Sequence, residues 1–257
     1  MKAVNLFLSV CLILLVVGSA QATVYTEADA YWGTVVDSGP KPYSSVDYSS
    51  SYFQMSATAE AGDDWAKGIS RVDAITDESS SNANSKSISR FTTTFEVISN
   101  GLVSFDLYLD GVMEVFNSGD GGENSFADYV VTVSDSISND NIKLLHRLAK
   151  DIDGTYIETI DITDTYNFGT TTYSSGTLID VTLELQTKAH AGYGYGIGSY
   201  VSSDFSNSLT IGNLDNLQVL PEPASIFLLL LGGIGLRRHI SEKNNRRNHN
   251  MMVSKSN

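Results

Sequence analysis

The stretch Phe91-Thr92-Thr93-Thr94-Phe95-Glu96-Val97 decides the fold class. Phe91, Thr93, Phe95 and Val97 share one parity, and Thr92, Thr94 and Glu96 share the other. A period of two sends successive side chains to opposite faces of a strand. The same beat returns in Val103, Phe105, Leu107 and Leu109, which alternate with Ser104, Asp106 and Tyr108. It returns again in Ile179, Val181, Leu183 and Leu185, set between Asp180, Thr182, Glu184 and Gln186, and around Thr132 in Val131 and Val133. One apolar face and one wet face belong to antiparallel strands that cover a core on a single side. Asn100-Gly101, Asp110-Gly111, Ser118 to Gly122 and Asp153-Gly154 read as turns between them. The expectation is an all-β chain, an antiparallel β-sandwich of jelly-roll-like form, without a long internal repeat.

Four segments fit this pattern less simply. Asn141 to Lys150 carries Ile142, Leu145 and Leu148 at helical spacing behind Asp140, a possible N-cap. Equally, Ile142-Lys143-Leu144 opens as a strand that would pair through Asp153-Gly154 with Tyr156 to Ile162; the β character of the rest favours the strand. Ser44 to Ser51 and Asp77 to Ser87, rich in Ser and Asn, read as solvated loops. Between Ala189 and Val201, Tyr193 and Tyr195 share a parity with Ala189, Ala191 and Ile197, opposite Gly192, Gly194, Gly196 and Gly198. A strand here would have one face of bare backbone, open to close approach. Its tyrosines are then either a stacking platform for sugar rings or, the favoured reading, core aromatics with hydroxyls at the rim.

Signatures of catalysis are scarce. The chain contains no G-x-S-x-G, H-E-x-x-H or G-x-x-x-x-G-K-[ST]. His146 and His190 stand in unrelated segments of the body. Asp151-Ile152-Asp153-Gly154 resembles the start of a calcium loop, but the closing Glu is missing, and a turn is preferred. Asp63-Asp64 beside Trp65 suggests a glycosidase acid next to a sugar platform, yet paired acids are expected by chance in so acidic a chain. No catalytic, cofactor-binding or metal-binding residue is expected, and the chain is not read as an enzyme.

The two ends carry addresses. Met1-Lys2, the apolar run Leu6 to Val17 and Ala20-Gln21-Ala22 form a secretory signal peptide over 1–22, cleaved after Ala22. Cys11, the single cysteine, lies inside it, so the mature chain would have no disulfide. Near the other end stand Leu220-Pro221-Glu222-Pro223-Ala224-Ser225, the apolar run Ile226 to Leu236, and Arg237-Arg238. Pro221 and Pro223 hold the chain stiff and extended around the charged handle Glu222. Ala224 to Leu236 would reach about 20 Å as a helix, against ~30 Å of hydrocarbon, and its glycines weaken it further. The basic residues that follow favour a cytoplasmic flank.

This order closely resembles the PEP-CTERM sorting signal, whose members are processed by exosortase, a membrane-embedded cysteine protease-transpeptidase of Gram-negative bacteria. The resemblance makes Pro221, Glu222, Pro223, Arg237 and Arg238 the sorting residues. It implies an extracellular β-sandwich domain over 23–219, a sorting signal with a membrane-sorting helix over 220–238, and a basic cytoplasmic tail over 239–257. The body ending Leu214-Asp215-Asn216-Leu217-Gln218-Val219 also resembles the β-sandwich bodies found ahead of many such tails.

Residues 23–220 hold nine Lys and Arg against 28 Asp and Glu, whereas 237–257 hold six basic residues and one acidic. So negative a body repels nucleic acid and anionic lipid. The expected protein is an exported, non-catalytic surface or matrix component associated with exopolysaccharide and biofilm. Signal peptidase and exosortase are its partners during export, and the C-terminal segment holds it to the membrane before processing. The alternatives are a carbohydrate-binding jelly-roll module and, less favoured, a secreted hydrolase.

Overall fold

Alternating sequence becomes strand almost throughout the computed structural model, which describes residues 23–30, 35–75, 82–118, 125–137, 141–149, 154–168, 172–192 and 196–220. The strands are β1 (Thr23–Ala30), β2 (Val35–Gly39), β3 (Tyr43–Ser49), β4 (Phe53–Ala61), β5 (Trp65–Ala74), β6 (Ala83–Val97) and β7 (Ser104–Asn117). They continue as β8 (Phe126–Asp135), β9 (Asn141–Ala149), β10 (Gly154–Asn167), β11 (Leu178–Ala191), β12 (Tyr200–Asp215) and β13 (Leu217–Val219). Sheet 1 has the order β2-β1-β6-β11-β8-β9, with β13 also paired to β6. Sheet 2 has the order β10-β7-β12-β5-β4-β3. The described pairings are antiparallel. The sheets enclose one shared core in a two-layer sandwich.

That core has two textures. Phe91, Phe95, Phe105, Tyr166 and Phe168 fill one part, with Phe105 5.2 Å from Tyr166 and 5.6 Å from Phe168, centroid to centroid. The Tyr166 hydroxyl donates to Asp135 at 2.7 Å, so the polar tip of a buried ring is satisfied. Elsewhere the sheets meet through small residues: Ala28, Ala57, Ala59, Ala66 and Ala189, with Ser70, Ser85, Ser87, Ser89 and Thr187 among them, all fully buried. Hydroxyls pair across this seam, Ser70–Thr187 at 2.8 Å and Thr26–Ser44 at 2.7 Å, while Ser87–Thr187 at 2.8 Å joins neighbouring strands of sheet 1. A Cβ on Gly68 would lie 2.5 Å from Ser87 Oγ, a measure of how closely the layers approach.

Several expectations are corrected here. Ser44 to Ser51 is not a solvated loop, since β3 takes its first part and Ser44 is buried; Ala83 to Ser87 likewise belongs to β6. Serine is small enough for the seam and finds a hydroxyl or carbonyl partner there, so burying it costs little. Asp110-Gly111 is not a turn but lies inside β7, where a Cβ on Gly111 would stand 2.3 Å from the Phe205 ring. The glycine makes room for an aromatic. Asn141 to Ala149 is a strand, as favoured, but it pairs with β8; β10 pairs with β7 in the other sheet, so no β9–β10 hairpin forms. Nor is Ala189 to Val201 one strand. β11 ends at Ala191 and β12 begins at Tyr200, with Gly198 at φ +83° in the connection, a conformation open to glycine.

Tyr193, Tyr195 and Asp151 to Asp153 lie outside the described residues, as do Ala20, Ala22, Pro221, Glu222, Pro223, Arg237 and Arg238.

Candidate functional site

The outer face of sheet 2 bears the feature most suited to holding a ligand. Odd positions of β5 point outward, because Ala66, Gly68, Ser70, Val72 and Ala74 face the core. The pairing registers then lay two rows across all six strands. One runs Ser49, Gln54, Asp73, Tyr200, Phe116, Thr155, and the next runs Asp47, Ser56, Arg71, Ser202, Glu114, Ile157. Strand spacing of ~4.8 Å makes each row roughly 24 Å long.

At the centre of the rows the side chains brace one another. The Tyr200 and Phe116 rings are 5.6 Å apart at 40°, and the Arg71 guanidinium carbon lies 4.6 Å from the Tyr200 centroid. Arg71 donates from Nε to Asp73 at 3.0 and 2.8 Å and from Nη2 at 2.6 Å. This bidentate bond, with the Asp73 charge, pushes the guanidinium pKa up further still. Arg71, Tyr200 and Phe116 thus form a continuous ledge. Its Asp73 end opens into a cleft of about 370 Å³ lined by Asp47, Tyr48, Ser49, Gln54, Met55, Ser56 and Asp73.

Local structure places Tyr200. Ser118 donates from Oγ to the Ile197 carbonyl at 2.8 Å and from its backbone N–H to Ser199 Oγ at 2.9 Å. Ala74 N–H and Gly198 N–H bond the Ser199 and Ala74 carbonyls at 2.8 and 3.1 Å. The Gly-rich connection is therefore tied to β5 and β7 where β12 begins. The less favoured reading of this segment, a sugar-stacking platform, names Tyr193 and Tyr195, which lie outside the described residues; the tyrosine on the ledge is Tyr200, which the sequence reading does not single out. The available signal was parity: Phe116 and Tyr200 are aromatics at wet positions, between buried Val115 and Asn117 and beside buried Val201.

A second polar group sits on the outer face of sheet 1. Arg147 donates to Asp128 at 2.7 Å and stacks its guanidinium 3.8 Å from the Phe126 centroid, with Lys188 5.2 Å from the same ring. Phe126 also lies 5.0 Å from His190. Burial raises the Asp128 carboxyl pKa, and burial followed by the Lys188 and Arg147 charges lowers that of His190 to about 4. These contacts describe a structural cluster, with Asp128 3 % exposed beneath Arg147.

The other sequence candidates are not brought together. Asp63 and Asp64 sit exposed at the tip of the β4–β5 hairpin, closed by Gly62 N–H to the Trp65 carbonyl at 2.9 Å. His146 lies on β9, 2.8 Å from Glu158, and His190 lies on β11. Among the described residues no group of three His, Cys, Asp or Glu side chains converges as a metal site.

No family model matches the chain, and no curated protein matches it. Among solved structures it is similar to a family 11 carbohydrate-binding module from Clostridium thermocellum in complex with a β-1,3-1,4-mixed-linked tetrasaccharide. Identity is 10 %, covering 74 % of this chain and 98 % of that one, with a TM-score of 0.22. A likeness at that score carries no functional argument.

Proposed function

We propose that this is an exported, non-catalytic surface or matrix protein whose jelly-roll-like body binds an extended polysaccharide across the outer face of sheet 2. The observation that carries the reading is the ledge of Arg71, Tyr200 and Phe116 running into the Asp47–Asp73 cleft. Aromatic ring faces stack on the apolar faces of sugar rings, while carboxylate, amide and hydroxyl groups alongside take the hydroxyls. A platform braced before ligand arrives loses little conformational freedom on binding. The rows are long enough for several rings laid side by side.

The export half of the reading rests on the termini: the signal peptide ending at Ala22, and Pro221-Glu222-Pro223 ahead of an apolar run and Arg237-Arg238. In this account signal peptidase cleaves the first, exosortase processes the second, and the body reaches the outer surface or an exopolysaccharide-rich matrix. The acidic body would keep it soluble there.

A polysaccharide array probed with the full chain tests the binding reading. Retention of one or more glycans by the parent, and loss of retention in Tyr200→Ala/Phe116→Ala, are expected. Silence across neutral, acidic and amino-sugar polymers would overturn it.

A further inference from the structure

β9 and β10 read in sequence as two arms of a hairpin, yet each ends a different sheet on the same open side of the sandwich. Among the described residues nothing pairs with the outer edge of either strand. The opposite side is guarded: β2 has five residues, and Pro40 and Pro42 stand between it and β3. Such short strands and prolines are how proteins blunt sheet edges. β10 has 14 residues with neither proline nor lysine, and most are β-branched or aromatic.

A single contact sets the heights of the two edge strands. His146 Nε2 on β9 lies 2.8 Å from Glu158 Oε1 on β10. Because the strands run in opposite directions, Leu144 then stands level with Ile160, and Leu148 with Tyr156. A twofold axis along the mouth, parallel to the strands, exchanges the layers and keeps every height. It sets β9 of a second copy beside β10 in the same layer, antiparallel and in that register. Apolar residues meet apolar residues, and His146 meets Glu158. β9 contains Lys143, His146 and Arg147 and no acid, whereas β10 contains Glu158, Asp161 and Asp164 and no base. Pairing β9 with β9 would instead oppose like charges.

We infer that two copies of this chain associate through the open side, β9 of each pairing antiparallel with β10 of the other. The hairpin encoded in the sequence is thus completed between molecules. The interface is isologous and closed, and joins sheet 1 of each copy to sheet 2 of its mate. The two ligand ledges then face opposite ways, so one dimer would hold two polysaccharide strands.

Leu145 and Thr159 test this because they lie exposed on opposite outer faces of one molecule but directly opposite each other in the dimer. A disulfide needs Cα atoms within about 7 Å, which one chain cannot supply between these positions. Full-length chains carrying Leu145→Cys and Thr159→Cys, each with Cys11→Ser, would be mixed in mild detergent and oxidised. The expected product is a mixed disulfide dimer well in excess of either like-with-like dimer, with both variants melting as the parent does. Sedimentation of the parent should show a dimer at micromolar concentration. A parent that sediments as a monomer at every concentration, or cross-linking chiefly between two Leu145→Cys chains, would overturn the inference. Either result leaves the glycan-binding reading untouched.

Discussion

Arg71 is held on two sides at once: its guanidinium lies over the Tyr200 ring, 4.6 Å from the centroid, while two of its nitrogens grip Asp73. The residue orders both parts of the candidate face, the aromatic ledge and the cleft. Lysine keeps the charge but loses the planar fork. Arg71→Lys should therefore weaken glycan binding several-fold with a melting change of only a few degrees. Equal binding by Arg71→Lys in a calorimetric titration would mean that the ledge needs no bracing.

The serine seam makes a stability prediction. A Cβ on Gly68 would meet Ser87 Oγ at 2.5 Å and Thr187 Cγ2 at 2.9 Å, and all three belong to packed strands. Gly68→Val should cost at least the ~1–3 kcal/mol typical of overpacking. Thr187→Val removes the hydroxyl shared by Ser70 and Ser87 and should cost about 1–3 kcal/mol, chiefly by taking the hydroxyl partner from buried Ser87, since Ser70 keeps its bond to the Thr187 carbonyl. Urea unfolding checks both. A Gly68→Val chain as stable as its parent would show that the layers do not approach so closely.

The sheet 1 cluster predicts a pH response. In the folded chain His190 titrates near 4, pushed down by burial and by Lys188 and Arg147, against an ordinary value of 6.5. The unfolded chain therefore binds the extra proton between those values. The contribution of neutral His190 is complete above about pH 6.5 and is lost as pH falls toward 4, up to about 3 kcal/mol. Asp128 has a raised carboxyl pKa and opposes this trend at the bottom of the window. His190→Gln should flatten the fall in melting temperature from pH 6.5 to 4; an unchanged slope would count against this assignment.

Processing is tested at the C-terminus. Glu222→Ala should leave an unprocessed, membrane-held chain in exosortase-positive cells, and deletion of 221–238 should release the body unanchored. Mass spectrometry of the mature protein reads the outcome. A mature parent still ending at Asn257 would contradict the sorting account.

The alternating apolar runs made the sheets legible, since Phe91, Phe95, Ile179 and Leu183 leave no other period. What escaped was structure built from small or polar residues. Ser85, Ser87 and Ser89 keep the same period of two, but serine signals a loop unless a hydroxyl partner such as Thr187 is known, and that partner lies 100 residues from Ser87. Asp110-Gly111 carries turn chemistry, and only the Phe205 ring, brought over it by β12, explains the glycine. β9 and β10 match as a hairpin locally, but β7 takes β10 along its whole length. The ledge is not legible in the sequence: the favoured reading of the Gly-rich segment is core tyrosines at Tyr193 and Tyr195, and the union of Tyr200 with Phe116 and Arg71 depends on β5, β12 and β7 being neighbours.

The most direct test of the central claim is a binding titration of the full chain with a polysaccharide it retains, set beside Tyr200→Ala, Phe116→Ala and the double variant. Each ring should contribute about 0.5–1.5 kcal/mol, so single variants should bind up to roughly tenfold more weakly and the double variant weaker still, with melting lowered only modestly. Undiminished binding by a folded double variant would place the glycan elsewhere and contradict the account.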